Sequence, residues 1–302
     1  MPRLGHIWAG MVTEDSGDAG TDSPIVLIIN TAGNKADILH YTFPDTAQED
    51  QERGQANLYE VKNDAFQDAF IPGAVDTDEL NPSSIRVGIR GRDQWAPDSF
   101  FVWGREERDE GEILPLGLVI NLQFPGAVLG NSLAGVKLST DAGEGAISFP
   151  LPRVEPGGAD AQINSLVLLM LTADEDDAGT DDEIQLQITT IDGRLVLDHT
   201  ITDTPQDDQE RAQANMYFVP VRPFSRRELG ADSIRLRING NDAWLPASFF
   251  LFGLDEPLPS IFAKVVTPLV HLADWPFGWM STDPDEGDES VILPLVPQAS
   301  LE

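Results

Sequence analysis

Two short stretches carry the residues with the clearest chemistry. Asp18-Ala19-Gly20-Thr21-Asp22 recurs as Asp177-Ala178-Gly179-Thr180-Asp181, each inside a longer acidic loop, 13–22 and 172–181. Calcium is held by about six to eight hard oxygens from carboxylates and carbonyls, and a glycine lets a backbone carbonyl turn inward. Carboxylates crowded into one loop repel each other unless a cation neutralises them. Asp18 and Asp177 are therefore expected as side-chain ligands and Gly20 and Gly179 as carbonyl donors. Asp22 and Asp181 are expected as ligands or orienting groups, with Thr21 and Thr180 counted in the same set. Calcium is the expected cofactor. The spacing is not a rigid code like that of an EF-hand, and the plainer alternative is a solvated acidic turn leading into a strand.

Aromatic residues supply the second set of candidates. Trp95 and Trp244 each precede a proline by two positions, in a loop between strands. A Trp held at a sandwich edge could touch lipid or sugar. The favoured alternative has the indole folded over the sandwich end, packing the Phe pair that follows. Trp275-Pro276-Phe277-Gly278-Trp279 is denser, and the comparable region of the first half, Phe124-Pro125-Gly126, has no Trp. Trp275 and Trp279 are the best candidates for an exposed contact surface, with burial between the halves as the alternative.

Catalytic constellations are missing from the sequence. His6, His40, His199 and His271 show neither motif spacing nor equivalence between the halves. No Gly-x-Ser-x-Gly elbow, His-Glu-x-x-His pair or phosphate loop occurs. Acidic residues are so numerous that no glycosidase-like pair stands out. The chain is read as non-catalytic.

The elements that position these residues come in two copies. Gln51-Glu52-Arg53-Gly54-Gln55-Ala56-Asn57 recurs as Gln209-Glu210-Arg211-Ala212-Gln213-Ala214-Asn215. Ser84-Ile85-Arg86 recurs as Ser233-Ile234-Arg235, and 93–101 recurs as 242–250 around Trp95 and Trp244. Ser139-Thr140-Asp141 with Glu144-Gly145 recurs as Ser281-Thr282-Asp283 with Glu286-Gly287. The separation falls from 159 residues (18 to 177) to 142 (139 to 281), so loops were lost while the order held. Glu155-Pro156-Gly157-Gly158 has linker composition and places the boundary between 1–156 and 157–302. Within each half the apolar runs are short. Residues 183–188 alternate with period two, as do 85–89 and 234–238, whereas 100–103 and 249–252 are continuous, as in central strands. With 26 Gly and 22 Pro and no long helical periodicity, the expected fold is all-β. It consists of two tandem antiparallel β-sandwiches related by internal duplication.

These motifs, in this order, resemble the PLAT/LH2 (lipoxygenase homology) domain, over about 7–104 and 164–253. The resemblance implies a β-sandwich of the kind found beside lipases, lipoxygenases and polycystins, one that often binds calcium and docks its carrier onto lipid surfaces or partner proteins. It also implies that a second loop closes each metal site, through Asp45, Glu49 and Asp50 in one half and Asp203, Asp207 and Asp208 in the other. Three features depart from the family. Asn57 and Asn215 stand where it usually has Asp, and Phe100 and Phe249 stand where it has a core Trp. Each half also carries a C-terminal strand extension, about 106–154 and 255–300.

Charge narrows the partners. The chain carries 51 acidic and 19 basic residues, a net charge of −32, with only four lysines. Such a field repels phosphate backbones, which excludes nucleic acid as a partner. The absence of cysteine removes disulfides and thiolate sites. No apolar run is long enough for a membrane span, and no signal-peptide core is visible near Met1. A secreted or cell-surface location is nevertheless favoured. The function expected is a calcium-binding module attaching to a lipid, protein or carbohydrate surface, with two copies supplying avidity. The alternative is a carbohydrate-binding or surface-assembly subunit in which calcium only stiffens the loops. Carboxylates concentrate at equivalent places, 14–22 and 45–52 against 174–183 and 203–210, which favours specific sites over a general salt adaptation. Millimolar calcium should therefore raise the melting temperature more than hundreds of millimolar sodium chloride does, since monovalent salt only screens. Thermal melts in the two salts check this.

Overall fold

The computed structural model describes residues 3–30, 39–44, 51–61, 80, 84–107, 113–123, 137–141, 143, 145–151, 153–201, 208–258 and 265–297. The chain divides into two compact units, Met1–Pro156 and Gly157–Glu302.

In the first unit one sheet contains β1 (Arg3–Thr13), β4 (Ala56–Val61), β6 (Pro97–Glu107), β7 (Ile113–Gln123) and β9 (Arg153–Pro156). Their order is β4-β1-β6-β7-β9, antiparallel throughout. The second sheet contains β2 (Ile25–Ile29), β3 (Leu39–Thr42), β5 (Ile85–Ile89) and β8 (Ser148–Pro150), in the antiparallel order β3-β2-β5-β8. The second unit repeats the plan. One sheet runs β13 (Ala214–Ser225), β10 (Gln162–Thr172), β15 (Pro246–Leu254), β16 (Val265–Leu272). The other runs β12 (Leu195–Ile201), β11 (Ile184–Thr189), β14 (Ile234–Ile238), β17 (Ser290–Ile292). Each unit is thus an antiparallel β-sandwich, and the chain is a tandem of two.

The sequence pattern explains the layers. β4 and β11 alternate buried and half-buried residues, and β14 alternates buried and exposed ones. One face of each therefore packs inward and the other meets water. Ile7, Ala9 and Met11 of β1 meet Ile25, Leu27 and Ile29 of β2 and Ile85, Val87 and Ile89 of β5 in one core. Leu166, Leu168 and Met170 of β10 and Ile184, Leu186 and Ile188 of β11 do the same in the other. The continuous runs of β6 and β15 are buried on both faces. Phe100 and Phe249 enter the sandwich cores, and Phe101, Trp103, Phe250 and Phe252 are buried as well.

The C-terminal stretches that the sequence sets apart as extensions are integral to both sheets. β7 and β16 pair with β6 and β15, while β8 and β17 pair with β5 and β14. Between these strands each stretch also forms a two-way bridge with the Trp loop. Trp95 exchanges backbone hydrogen bonds with Leu138 at 2.9 and 2.8 Å, and Trp244 exchanges them with Met280 at 2.9 and 2.8 Å. The repeated Glu-Gly closes this turn. A Cβ on Gly145 or Gly287 would lie 2.4 Å from the carbonyl oxygen of Lys137 or Trp279, so only glycine fits there.

Trp95 and Trp244 are fully buried, and each indole Nε1–H donates to a Thr hydroxyl, Thr13 at 2.9 Å and Thr172 at 3.0 Å. Fully buried, neither indole offers a face to a lipid or sugar; each takes the framework place that the sequence favours for it. Trp244→Ala should destabilise by about 3–5 kcal/mol in urea denaturation, through cavity formation and loss of the indole–Thr172 hydrogen bond. Trp244→Phe should cost less, because most of the ring volume remains.

Candidate functional site

The acidic loop of each unit leaves β1 or β10 and runs against the Gln-Glu-Arg turn and the Trp loop. Its backbone is the same in both copies. Asp18 and Asp177 both have φ 60, a left-handed conformation that Asp tolerates better than most residues. Beyond this bend, the carbonyls of Ala19 and Ala178 accept the amides of Ala96 and Leu245, at 2.9 and 3.0 Å. Thr21 N–H donates to Gln51 O and Thr180 N–H to Gln209 O, each at 3.3 Å. The loop is thereby sewn to two others.

Thr21 and Thr180 lie at the centre of this seam. Both are buried, and each hydroxyl donates to a carbonyl, Asp93 at 3.3 Å or Asp242 at 3.2 Å. Each also accepts the amide two residues on, Ser23 at 3.0 Å or Asp182 at 3.1 Å. With donor and acceptor both engaged, the hydroxyl closes the turn. Asp22 and Asp181 are exposed, and their amides donate to the carboxylates of Asp93 (3.0 Å) and Asp242 (3.1 Å). Asp93 and Asp242 thus hold the loop by backbone and side chain at once. They lie in the repeated Trp motif, yet nothing in that spacing announces the role.

Gly20 and Gly179 are placed by close approach. A Cβ on Gly20 would meet Gln51 O and Arg53 N at 3.2 Å, and one on Gly179 would meet Gln209 O at 3.2 Å. The glycine therefore lets the acidic loop lie directly on the Gln turn. That turn is strained alike in both units, with Gln51 and Gln209 at φ 63. Asn57 and Asn215 explain how the conformation is held: their Oδ1 atoms accept the Gln51 and Gln209 amides, each at 3.1 Å. An amide side chain, where the resembling family has a carboxylate, here caps a turn. Gln51 and Gln209 also donate through Nε2 to the hydroxyls of Tyr59 and Tyr217.

Asp208 belongs to this turn. It is buried, and its two oxygens accept Asn215 Nδ2–H at 3.0 Å and the Tyr217 hydroxyl at 2.8 Å. Asp208 thus acts as an internal acceptor in the turn. Asp45, Asp50 and Asp203 lie outside the described residues, as do Glu49 and Asp207.

The cations that the structure brings to the acidic loops are arginines. Arg53 Nε–H donates to Asp15 at 2.7 Å, and Arg211 Nε–H to Asp174 at 2.8 Å, with Arg211 also reaching Asp176. The bond to Asp174, reinforced by both nearby carboxylates, raises the guanidinium of Arg211 above its usual value. Asp18, Asp22, Asp177 and Asp181 keep exposed carboxylates. Among the described residues no three Asp, Glu or His side chains gather closely enough to hold a metal ion.

Trp275 and Trp279 are half-buried. Trp275 packs against the core, 6.4 Å from both Trp244 and Phe249, with Phe277 edge-on at 5.0 Å. Its Nε1–H closes onto Gly278 O at 2.7 Å. The Trp275 ring is a lid on its own sandwich more than an open contact face.

No family model matches the sequence, and no curated protein matches it. Solved structures similar to the chain include the alpha toxin of Clostridium absonum, at 22% identity and TM-score 0.33, covering 45% of this chain and 33% of the toxin. The alpha-toxin of an avian strain of Clostridium perfringens follows at 22% and 0.31, covering 45% and 32%. A coral 8R-lipoxygenase, with calcium activation via a C2-like domain, stands at 18% and 0.29, covering 43% and 17%. The chain spans a third or less of each of these proteins. At such scores the likenesses add no functional argument. The class of protein is defined by the fold itself, a tandem of antiparallel β-sandwiches.

One position tests the turn. Gly54 has φ 71 in the first unit, and Ala212 holds the same place at φ 60 in the second. A non-glycine residue there costs roughly 1–2 kcal/mol, partly offset by the greater unfolded-state freedom of glycine. Ala212→Gly should therefore stabilise by up to about 1 kcal/mol, and Gly54→Ala should destabilise by a similar amount, in chemical denaturation.

Proposed function

We propose that this protein is a non-catalytic, calcium-responsive binding module whose two sandwiches attach it to a lipid, protein or carbohydrate surface. The observation that supports the reading is the paired loop end. In both units an acidic loop with the same left-handed Asp is tied by the same backbone contacts to a strained Gln turn. Its Asp18 and Asp22, or Asp177 and Asp181, are left exposed. A loop built only to start a strand has no need of that charge density, which works against folding unless a cation is present.

In this reading Asp18 and Asp22, with Asp177 and Asp181, hold the ion together with backbone carbonyls, and the acidic residues 45–50 and 203–207 complete the two sets. Calcium supplies positive charge that the chain lacks and stiffens the loop end for contact. Two units on one chain turn weak single contacts into firm attachment by raising the effective concentration of the second.

Calorimetric titration at about 0.15 M salt should show a saturable calcium heat, at one ion per unit. EDTA should lower the melting temperature. Micromolar sites in millimolar calcium stabilise by about 4 kcal/mol each through mass action. Asp18→Ala combined with Asp177→Ala should abolish the EDTA effect. A melting curve unchanged by EDTA at low salt would end the calcium reading.

A further inference from the structure

One surface position has the same backbone in both units and a different side chain. Lys137 in the first unit and Trp279 in the second each precede the residue that bridges to the Trp loop, Leu138 or Met280. Each carbonyl accepts an amide from the turn that follows. Ala146 N–H donates to Lys137 O at 3.0 Å, and Asp288 N–H donates to Trp279 O at 3.1 Å. Leu138 and Met280 are fully buried, whereas Lys137 and Trp279 are half-buried. The first unit thus shows what the fold asks of this position, a long surface side chain and no aromatic ring. The second unit puts an indole there, and a carboxylate, Asp288, where the first has the methyl of Ala146.

Trp279 takes no part in its own core. Trp275 and Phe277 pack against that core, and Trp279 does not. Among the described residues its ring stacks on no other ring and its indole N–H finds no acceptor. Its backbone is nevertheless pinned on both sides. Gly278 turns the chain at φ 74, and its carbonyl accepts the Trp275 indole at 2.7 Å. Met280 exchanges hydrogen bonds with Trp244 at 2.9 and 2.8 Å. A half-exposed side chain on so fixed a backbone has little ordering left to lose on binding.

Charge says what would complement it. The chain carries −32, and no lysine or arginine follows Lys264. The cation that the second unit brings to this turn, Arg237, pairs with Glu289. Asp288, one residue earlier, is exposed and has no ion pair among the described residues. An electron-rich indole and an unpaired carboxylate, on positions joined by a backbone hydrogen bond, are the two parts of a guanidinium site. The guanidinium plane stacks on the ring, and its N–H fork donates to the carboxylate. The field of the whole chain draws a basic partner in and turns anionic lipid away.

We propose that Trp279 and Asp288 form a contact for an arginine of a basic protein partner, on the second unit only. Where the first unit places a cation of its own, Lys137, the second offers a ring and a charge to a cation from outside. The inference rests on the reading of the chain as a binding module and names the chemistry of its partner. It does not rest on calcium, and its test is run in EDTA.

At about 0.15 M salt the full chain should bind a labelled hexa-arginine peptide more tightly than a hexa-lysine peptide of equal charge, by about two- to fivefold in anisotropy titrations. Trp279→Leu, which leaves the charge unchanged, should remove that preference. Asp288→Asn should weaken hexa-arginine binding, and Trp279→Lys with Asp288→Ala, which copies the first unit, should weaken it further. Each variant should melt within about 2 °C of the wild type, because the position lies at the surface. A Trp279→Leu chain that keeps the arginine preference, or that melts about 5 °C or more below the wild type, overturns the proposal. Binding of a neutral glucose oligomer or of phosphatidylcholine vesicles that Trp279→Leu abolishes, with no binding of hexa-arginine, also overturns it. That last result leaves the binding-module reading standing and gives the ring another partner.

Discussion

Each sandwich hangs its working end on one buried hydrogen bond, from the Trp indole to a Thr hydroxyl at the end of the first strand of its unit. The bond joins three pieces of chain far apart in sequence. Thr13 ends β1, Trp95 precedes β6, and the Trp95 backbone pairs with Leu138 in the C-terminal stretch. Its neighbour Ala96 reaches across to Ala19 in the acidic loop. An indole N–H buried without a partner costs about 1–3 kcal/mol, so the Thr is as fixed as the Trp. With the anchor in place, the acidic loop has one entry direction and one exit, and its aspartates stay exposed.

The polar shell around that anchor is graded by burial. Innermost are neutral contacts: the Thr21 and Thr180 hydroxyls, the Asn caps, and the Gln–Tyr bonds of the strained turn. Their energy is not diluted by solvent, and they hold three positive-φ residues per turn region in register. Outermost are the Arg53 and Arg211 ion pairs, with side chains roughly half exposed. Exposed pairs of this kind contribute about 0–1 kcal/mol and weaken with salt. The arginines therefore bias the acidic loop without locking it. Shape is set by the neutral layer, and the charged layer remains free to respond to ions.

Much of this was readable in the sequence because duplication separates framework from filler. Period-two alternation at 183–188 and 234–238 appears as β11 and β14, and the continuous Phe runs appear as strands buried on both faces. What was not readable has a common cause. Residue type reports what a side chain can do, and partners decide what it does. Thr180 and Asp208 have ligand chemistry, but an amide and a carbonyl claim the first, and an Asn and a Tyr claim the second. The indoles of Trp95 and Trp244 could face solvent in any loop, yet both are buried. The C-terminal stretches were set apart because the resembling family lacks them, and their short strands β8 and β17 lie far in sequence from β5 and β14, with which they pair. Pairing of Ser290–Ile292 with β14 depends on a register that no local pattern encodes.

The differences between the copies carry the remaining information, because the shared contacts remove background. Where a contact is backbone-to-backbone the two units agree to about a tenth of an ångström, as at the Thr–Gln and Trp bridges. Where a side chain only fills space or carries charge they drift: Gly54 against Ala212, Ser23 against Asp182, Glu14 and Asp98 against two alanines. Some drift is compensated in place. Asp182 is tolerated because Gly240 leaves room, a Cβ there lying 1.9 Å from its carboxylate, and because that carboxylate accepts the Asp242 amide at 2.6 Å. The same room beside Gly91 is filled by Ser23, whose Oγ would lie 1.9 Å from a Cβ there.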